Sequence, residues 1–287
     1  MKIKYALLWW LALPGALSAQ DSLGARSARK LIVISGAAYT ASLVALGSLW
    51  YSEAQRQPFT FFNDWPEWKQ VDKAGHFFTA FHLSAGTSQA MQQHHVKPSG
   101  ARLYGAIAGF LMLLPIEVLD GFSANYGASL PDLGANLAGS AFYYAQASLW
   151  NEVRIEPKFS FQRTAYPGLR PDHTLGSGLL SEMLKDYNGQ TYWLSVNLNK
   201  FITFPAWLNL AVGYGATGMV YGRDPQNQAA GFRALRQLYI GPDIDLSHIK
   251  SRSKVIQATL RIINLVKLPA PALEFSSGKG KWHWLKF

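Results

Sequence analysis

Near residue 153 the hydrophobic period of this chain changes from that of a helix to that of a strand, and this change limits the fold more than any other feature. Before it stand apolar stretches poor in charge, Leu31 to Tyr51, Val71 to Gln93, Ala101 to about Leu119, and Asp132 to Trp150, and length with patterning makes each a helix. From Arg154 onward apolar residues recur at every second position. Tyr192, Leu194, Val196 and Leu198 alternate with Trp193, Ser195, Asn197 and Asn199; Leu208, Leu210, Val212 and Tyr214 alternate with Asn209, Ala211, Gly213 and Gly215. Leu238, Ile240, Ile244 and Leu246 face Gln237, Asp243 and Asp245 in the same way. Strands with one greasy and one small or polar face are the pattern of membrane barrels. Ile155 to Phe161 and Trp282 to Phe287 read as outer strands, and Ser253 to Val266 as an amphipathic helix followed by Leu268-Pro269-Ala270-Pro271. About five or six strands fall short of the eight of the smallest common membrane barrel. The expected fold is therefore α+β and membrane-associated: an N-terminal four-helix unit over residues 20–152, then a strand-rich unit over 153–287, either a small sheet or a partial β-barrel.

Residues 1–19 read as a signal peptide. Lys2 and Lys4 precede an apolar core from Tyr5 to Leu13, and Leu17-Ser18-Ala19 offers a small-residue cleavage site before Gln20. Only 15% of residues are charged, while 14% are aromatic with 10 Trp, a balance that fits a membrane-associated chain better than a soluble one. There is no Cys, which removes Cys acylation, disulfides and thiolate metal sites from consideration. A net charge of +10, scattered rather than run together, fits contact with anionic headgroups or phosphorylated glycolipid and leaves no nucleic-acid footprint. The 21 residues from Leu31 to Tyr51 are uncharged and long enough to span a bilayer, which favours the inner membrane. The strands and the terminal Phe287 favour the outer membrane, and the balance tips outward.

Polar groups gather at the helix ends. Asp72 and His76 lie four apart, Glu117 and Asp120 three apart, and Asp132 and Asn136 four apart, so each pair shares a helix face. Short connections make the helices antiparallel and bring the start of the second, the end of the third and the start of the fourth to one side. Three readings stay open. The groups form a structural ion network; or Lys73, Ser129, Asp132 and Asn136 bind a lipid headgroup or another envelope protein; or His76, Asp72, Glu117 and Asp120 are catalytic. In the last case His76 acts as base and Glu117 or Asp120 as acid, in a hydrolase or transferase working on a lipid or lipid-linked glycan. One His among carboxylates is a weak metal signature, so neither metal nor cofactor is expected. His94-His95 reads as a solvated helix end, Asp243 and Asp245 lack the rest of a calcium loop, and Ser123 and Ser129 lack a nucleophile elbow.

Asp72-Lys73-Ala74-Gly75-His76-Phe77, then Glu117-Val118-Leu119-Asp120-Gly121-Phe122-Ser123, then Ser129-Leu130-Pro131-Asp132-Leu133-Gly134-Ala135-Asn136-Leu137-Ala138-Gly139 form an ordered motif set. It resembles the YfiM-like family of uncharacterised bacterial envelope proteins and, more distantly, the VanZ-like membrane proteins, over roughly residues 60 to 145. The resemblance implies an envelope location and a compact helical unit, with no established reaction. This chain departs from a small lipoprotein in having no Cys to acylate and in its strand-rich extension, and so resembles the larger versions of Bacteroidetes-type bacteria. The function expected is that of an uncharacterised envelope membrane protein, a non-enzymatic lipid- or partner-binding component, with the enzyme as the alternative.

Overall fold

The computed structural model describes residues 36–37, 39–45, 47–48, 56–124 and 127–287. The expected signal peptide lies outside them. So does much of the first expected helix, although its described residues are helical and the Tyr39 hydroxyl donates to the Met112 carbonyl at 2.6 Å.

The helical half is built from α1 (Val71–Gln93), α2 (Pro98–Leu111), α3 (Leu114–Gly121) and α4 (Leu130–Trp150). α1 and α4 match the sequence pattern closely. The third expected helix is corrected at its start. It begins at Pro98 rather than Ala101; proline is favoured in the first turn because it lacks an N–H that would go unbonded there. It also divides at Met112–Leu113, because Pro115 has no N–H to return to the Leu111 carbonyl and its ring crowds that turn. Close packing comes from small residues. A Cβ on Gly109 would stand 2.1 Å from the Ser84 hydroxyl, and one on Gly139 would stand 2.2 Å from the Phe77 carbonyl oxygen. α1 thus runs between α2 and α4 at near-backbone contact.

The second half is a six-stranded antiparallel meander, β3 (Ile155–Phe161), β4 (Gln190–Val196), β5 (Leu208–Thr217), β6 (Leu235–Ile244), β7 (Ala270–Ser276) and β8 (Lys279–Lys286), paired in that order. A separate pair of two-residue strands, β1 (Phe61–Phe62) and β2 (Ala128–Ser129), ties the loop before α1 to the start of α4. Short helices α5 (Leu179–Lys185), α6 (Asp224–Ala229) and α7 (Lys254–Asn264) fill the connections. β7 was not expected, because Pro269 and Pro271 read as a break; Pro271 is accommodated where the register of β7 against β8 shifts. The sheet is not a closed barrel: β3 and β8 do not pair, and an isolated bridge, Phe159 to Val266, links β3 to the segment leading into β7.

The sheet is inverted relative to a soluble one. Across the strands Leu194, Val212 and Ile240 stand in one register row, and all are exposed. The neighbouring inner row, Trp193, Gly213 and Tyr239, is buried. Polar groups lie inside: Lys158 and Asp243 form a 2.7 Å ion pair with both side chains fully buried, Ser195 donates to Asp243 at 2.7 Å, and the Trp193 indole donates to Ser160 at 2.9 Å. The two halves meet through α1. His82 Nε2 lies 2.7 Å from the Pro157 carbonyl, and Gln146 of α4 bonds the backbone at Arg154 and Ile155.

Gly139→Val is expected to destabilise the protein by about 1–3 kcal/mol, because the facing Phe77 backbone cannot give way. Gly134→Ala, on the same helix with no atom within 4 Å of the added Cβ, is expected to be neutral or to gain up to about 1 kcal/mol. Thermal and denaturant unfolding of the two variants checks both signs.

Candidate functional site

The turn entering α1 is held in an unusual backbone. Trp68, Lys69 and Gln70 all have positive φ, at 47°, 52° and 63°, a region that costs a non-glycine residue energy unless its surroundings fix it. Here the second half of the chain does the fixing. Trp68 N–H donates to the Gly222 carbonyl at 2.7 Å, Arg236 donates to the Gln70 side chain at 2.6 Å, Arg223 pairs with Glu67 at 2.9 Å, Lys69 pairs with Asp224, and the Tyr214 hydroxyl donates to the Lys69 carbonyl. This anchorage sets the position of the first two turns of α1, where Asp72, Lys73 and His76 sit.

Lys73 gathers the carboxylates. Its ammonium lies 2.6 Å from Asp64, 2.8 Å from Asp72 and 2.8 Å from Asp132. Ser129, the N-cap of α4, accepts from the Asp132 backbone N–H at 3.0 Å and donates from the same hydroxyl to Asp64 at 2.5 Å. Its own backbone N–H donates to Glu117 at 3.0 Å. One cap therefore links the loop before α1, the first turn of α3 and the start of α4. The His76 ring stands beyond Lys73: Nδ1 is 3.0 Å from Asn136 Oδ1 and 3.9 Å from Glu117 Oε1, while Nε2 is 3.6 Å from Asp132 Oδ1.

Charge shapes these groups. Burial works to lower the Lys73 pKa, but Asp72 and Asp132 outweigh it and hold the ammonium above its ordinary value. Burial likewise works against a charged His76, and Asp132, Glu117 and Asp72 together reverse it, so the ring gains a proton more readily than a free imidazole. Asp72 is raised, chiefly by burial and against the pull of Lys73. Asp132 is pushed up to about 6, burial again leading and His76 and Lys73 opposing. For Asp64 the bonds from Lys73 and Ser129 overcome burial and lower it. Neighbouring carboxylates in different states of readiness are the raw material of acid–base work.

The cluster opens on a cavity of about 620 Å³ between the helices and the sheet. Asp64, Asp72, His76, Asp120 and Asp132 contribute to its wall, as do the apolar or aromatic Phe62, Trp68, Phe78, Phe159, Tyr187 and Tyr192. Among the residues expected from sequence, His76, Asp72, Lys73, Glu117, Ser129, Asp132 and Asn136 come together. Asp120 lines the cavity without joining the His76–Glu117–Asp132 group, and the pair His94–His95 lies at the far end of α1. Asp64 was missed; it is a single acidic residue in a loop, and only its eight-residue distance from Asp72 hinted at it. Also missed was the polar interior of the sheet, where a second recess of about 320 Å³ is lined by Glu156, Asn197, Asn209 and Asp245 among others.

A family model described as predicted periplasmic lipoprotein (DUF2279) matches residues 60–148. That stretch contains α1 to α4 and the whole Lys73–His76 cluster, so the match supports an uncharacterised envelope domain there and points to the cell envelope. The narrower YfiM-like and VanZ-like names are not carried by it. No curated protein matches the chain, and no solved structure does.

Ser129→Ala removes both the cap of α4 and a donor to Asp64, and is expected to cost about 1–2 kcal/mol; Ser129→Thr is expected to recover most of it. Equilibrium unfolding of the two variants beside wild type is the check, and equal stability of Ser129→Ala and wild type contradicts the role given to this cap.

Proposed function

We propose that the protein is an envelope membrane protein that binds an amphiphile, a lipid with a polar headgroup, in the cavity between its helices and its sheet. The observation carrying this reading is the cavity's division into a charged floor and an apolar wall. Asp64, Asp72, His76 and Asp132 offer acceptors and a titrating ring, while Phe62, Trp68, Phe78, Phe159 and Tyr192 offer surface for a chain. Ligand sites in general combine apolar lining with a few convergent polar groups. An acidic floor selects a headgroup that carries hydrogen-bond donors.

Membrane integration is supported by two surfaces. The outer face of the sheet exposes Leu194, Leu210, Val212, Leu238, Ile240 and Phe275, apolar side chains grouped as at a membrane or protein contact. Pro98–Gly121 is the one stretch among the described residues that is long and apolar enough to cross a bilayer. The inverted antiparallel sheet favours the outer membrane. A partner protein in the envelope can use the same apolar face.

Catalysis is the second reading, favoured by one observation: His76 stands between two carboxyl groups, Glu117 and Asp132, at the cavity wall. A ring held this way can take a proton while a neighbouring carboxyl gives one. The chemistry would be hydrolysis or transfer on the bound lipid or a lipid-linked glycan.

The test uses delipidated full chain, exposed separately to phosphatidylethanolamine and phosphatidylglycerol and examined by native mass spectrometry. Wild type is expected to retain about one phosphatidylethanolamine, with weaker retention of the lipid lacking an amine. Gly75→Leu projects a side chain into the cavity, where even a Cβ stands 2.8 Å from the Tyr192 hydroxyl, and is expected to weaken retention roughly tenfold, the loss of about 1.4 kcal/mol. Unchanged retention in Gly75→Leu overturns the cavity as the binding place. Release of headgroup or acyl product by wild type but not by His76→Gln would establish the second reading.

A further inference from the structure

We infer that His76, Glu117 and Asp132 form a binding site for one divalent transition-metal ion. The inference begins from two trios of possible ligands that share Asp132. Asp64, Asp72 and Asp132 make one; His76, Glu117 and Asp132 make the other, and within each trio the ligand atoms lie within 4.8 Å of one another. The two differ in what already stands among them. The first trio surrounds the Lys73 ammonium, which contacts all three carboxylates at 2.6 to 2.8 Å and supplies the cation itself. In the second trio Lys73 reaches only the shared Asp132, and among the described residues no ammonium pairs with Glu117.

Three further observations point to an ion in the second trio. Glu117 is only 3% exposed, yet its Oε1 has no hydrogen-bond partner; the nearest ring nitrogen, at 3.9 Å, is beyond bonding distance. A buried carboxylate oxygen left bare is costly, and a coordinated ion removes the cost. Next, fully buried Asn136 places its carbonyl oxygen 3.0 Å from His76 Nδ1. That bond puts the ring proton on Nδ1 and leaves the Nε2 lone pair free on the side of Asp132, which is the orientation that a neighbour beside a metal-bound His provides. Finally, Lys73 is the one ammonium paired with Asp64, Asp72 and Asp132 among the described residues and it does not pair with Glu117, so with all four carboxyls ionised the cluster carries an excess of negative charge that a divalent ion would largely cancel.

Donor chemistry narrows the ion. One imidazole nitrogen with two carboxylate oxygens suits zinc or manganese, whereas calcium and magnesium sites are built from oxygen. His76 and Asp132 are on the cavity wall, so three protein ligands leave a coordination position open to whatever occupies the cavity, the arrangement of exchange-competent sites. The inference rests on the amphiphile reading only for what that open position would meet, an anionic group such as a headgroup phosphate. Spacing in the sequence hid the site, because its ligands are brought from three helices and His76 and Glu117 stand 41 positions apart.

The experiment uses the full chain in detergent, stripped with a chelator and dialysed. Zinc and manganese are titrated by calorimetry, and cobalt(II) is used as an absorbing substitute. Wild type is expected to bind one ion per chain, with visible cobalt bands. His76→Gln and Glu117→Gln are expected to weaken binding at least 100-fold and abolish the bands, whereas Asp72→Asn, in the lysine-filled trio, keeps the stoichiometry. Asn136→Ala, a positioning change, is expected to weaken binding about 10- to 100-fold. Each variant is accepted only if its near-ultraviolet circular dichroism matches wild type, and His95→Gln, at an exposed histidine, serves as the control. Absence of stoichiometric binding by wild type, or binding that survives His76→Gln, overturns the site. Because no lipid is present, a failed titration leaves the phosphatidylethanolamine result standing, and a failed lipid assay leaves the metal result standing.

Discussion

Buried lysine paired with carboxylate is the interaction on which both halves of this protein depend. In the helical half Lys73 draws Asp64, Asp72 and Asp132 together; in the sheet Lys158 meets Asp243 with neither side chain exposed. Such pairs contribute little net stability, since desolvation offsets most of the attraction. What they do contribute is position. Once the charges are inside, helix starts, loop and strand must stand where the ions can reach one another, and the apolar residues of the sheet are left on the outside. That outward partition of apolar surface is the basis of the proposed membrane setting.

The two ion-paired centres are joined by a strained turn. Trp68, Lys69 and Gln70 adopt left-handed backbone because Tyr214, Gly222, Arg223, Asp224 and Arg236 hold them there. The sheet and its loops thus determine where α1 begins, and with it the placing of His76 against Glu117, Asp132 and Asn136. The cavity lies along this junction, walled by residues from both halves. A ligand there would contact both, so binding and the packing of the halves are physically linked.

Much of this was legible in the sequence, and the residues explain why. α1 and α4 were readable because they are long, poor in charge and free of internal breaks, and β3 to β6 because their alternation is regular. Asp72, Lys73, His76, Glu117, Ser129, Asp132 and Asn136 were legible as helix-end polar groups once short connections were assumed. Asp64 was not, since a loop residue has no period to betray it. Nor was β7, whose prolines obscure a strand that tolerates them at a register shift. The division of the third helix followed from Pro115, but its start at Pro98 did not, because the same residue signals an end or a beginning depending on which side is helical. The lysine interior of the sheet was hidden for a simpler reason: Lys158 and Asp243 are 85 positions apart and neither stands in a motif.

The central claim is that this sheet keeps polar groups inside and turns its apolar face to lipid. The absence of Cys from the sequence makes that directly measurable. Single cysteines at Val212, Ile240 and Phe275, each carrying a nitroxide in protein reconstituted into vesicles, can be compared for collision with oxygen, which concentrates in lipid, and with a water-soluble nickel chelate. All three positions should favour oxygen strongly, while a label at exposed Asp172, the ion-pair partner of Arg170, should favour the chelate. Chelate-dominated collision at Val212, Ile240 and Phe275 would place that face in water and contradict the claim.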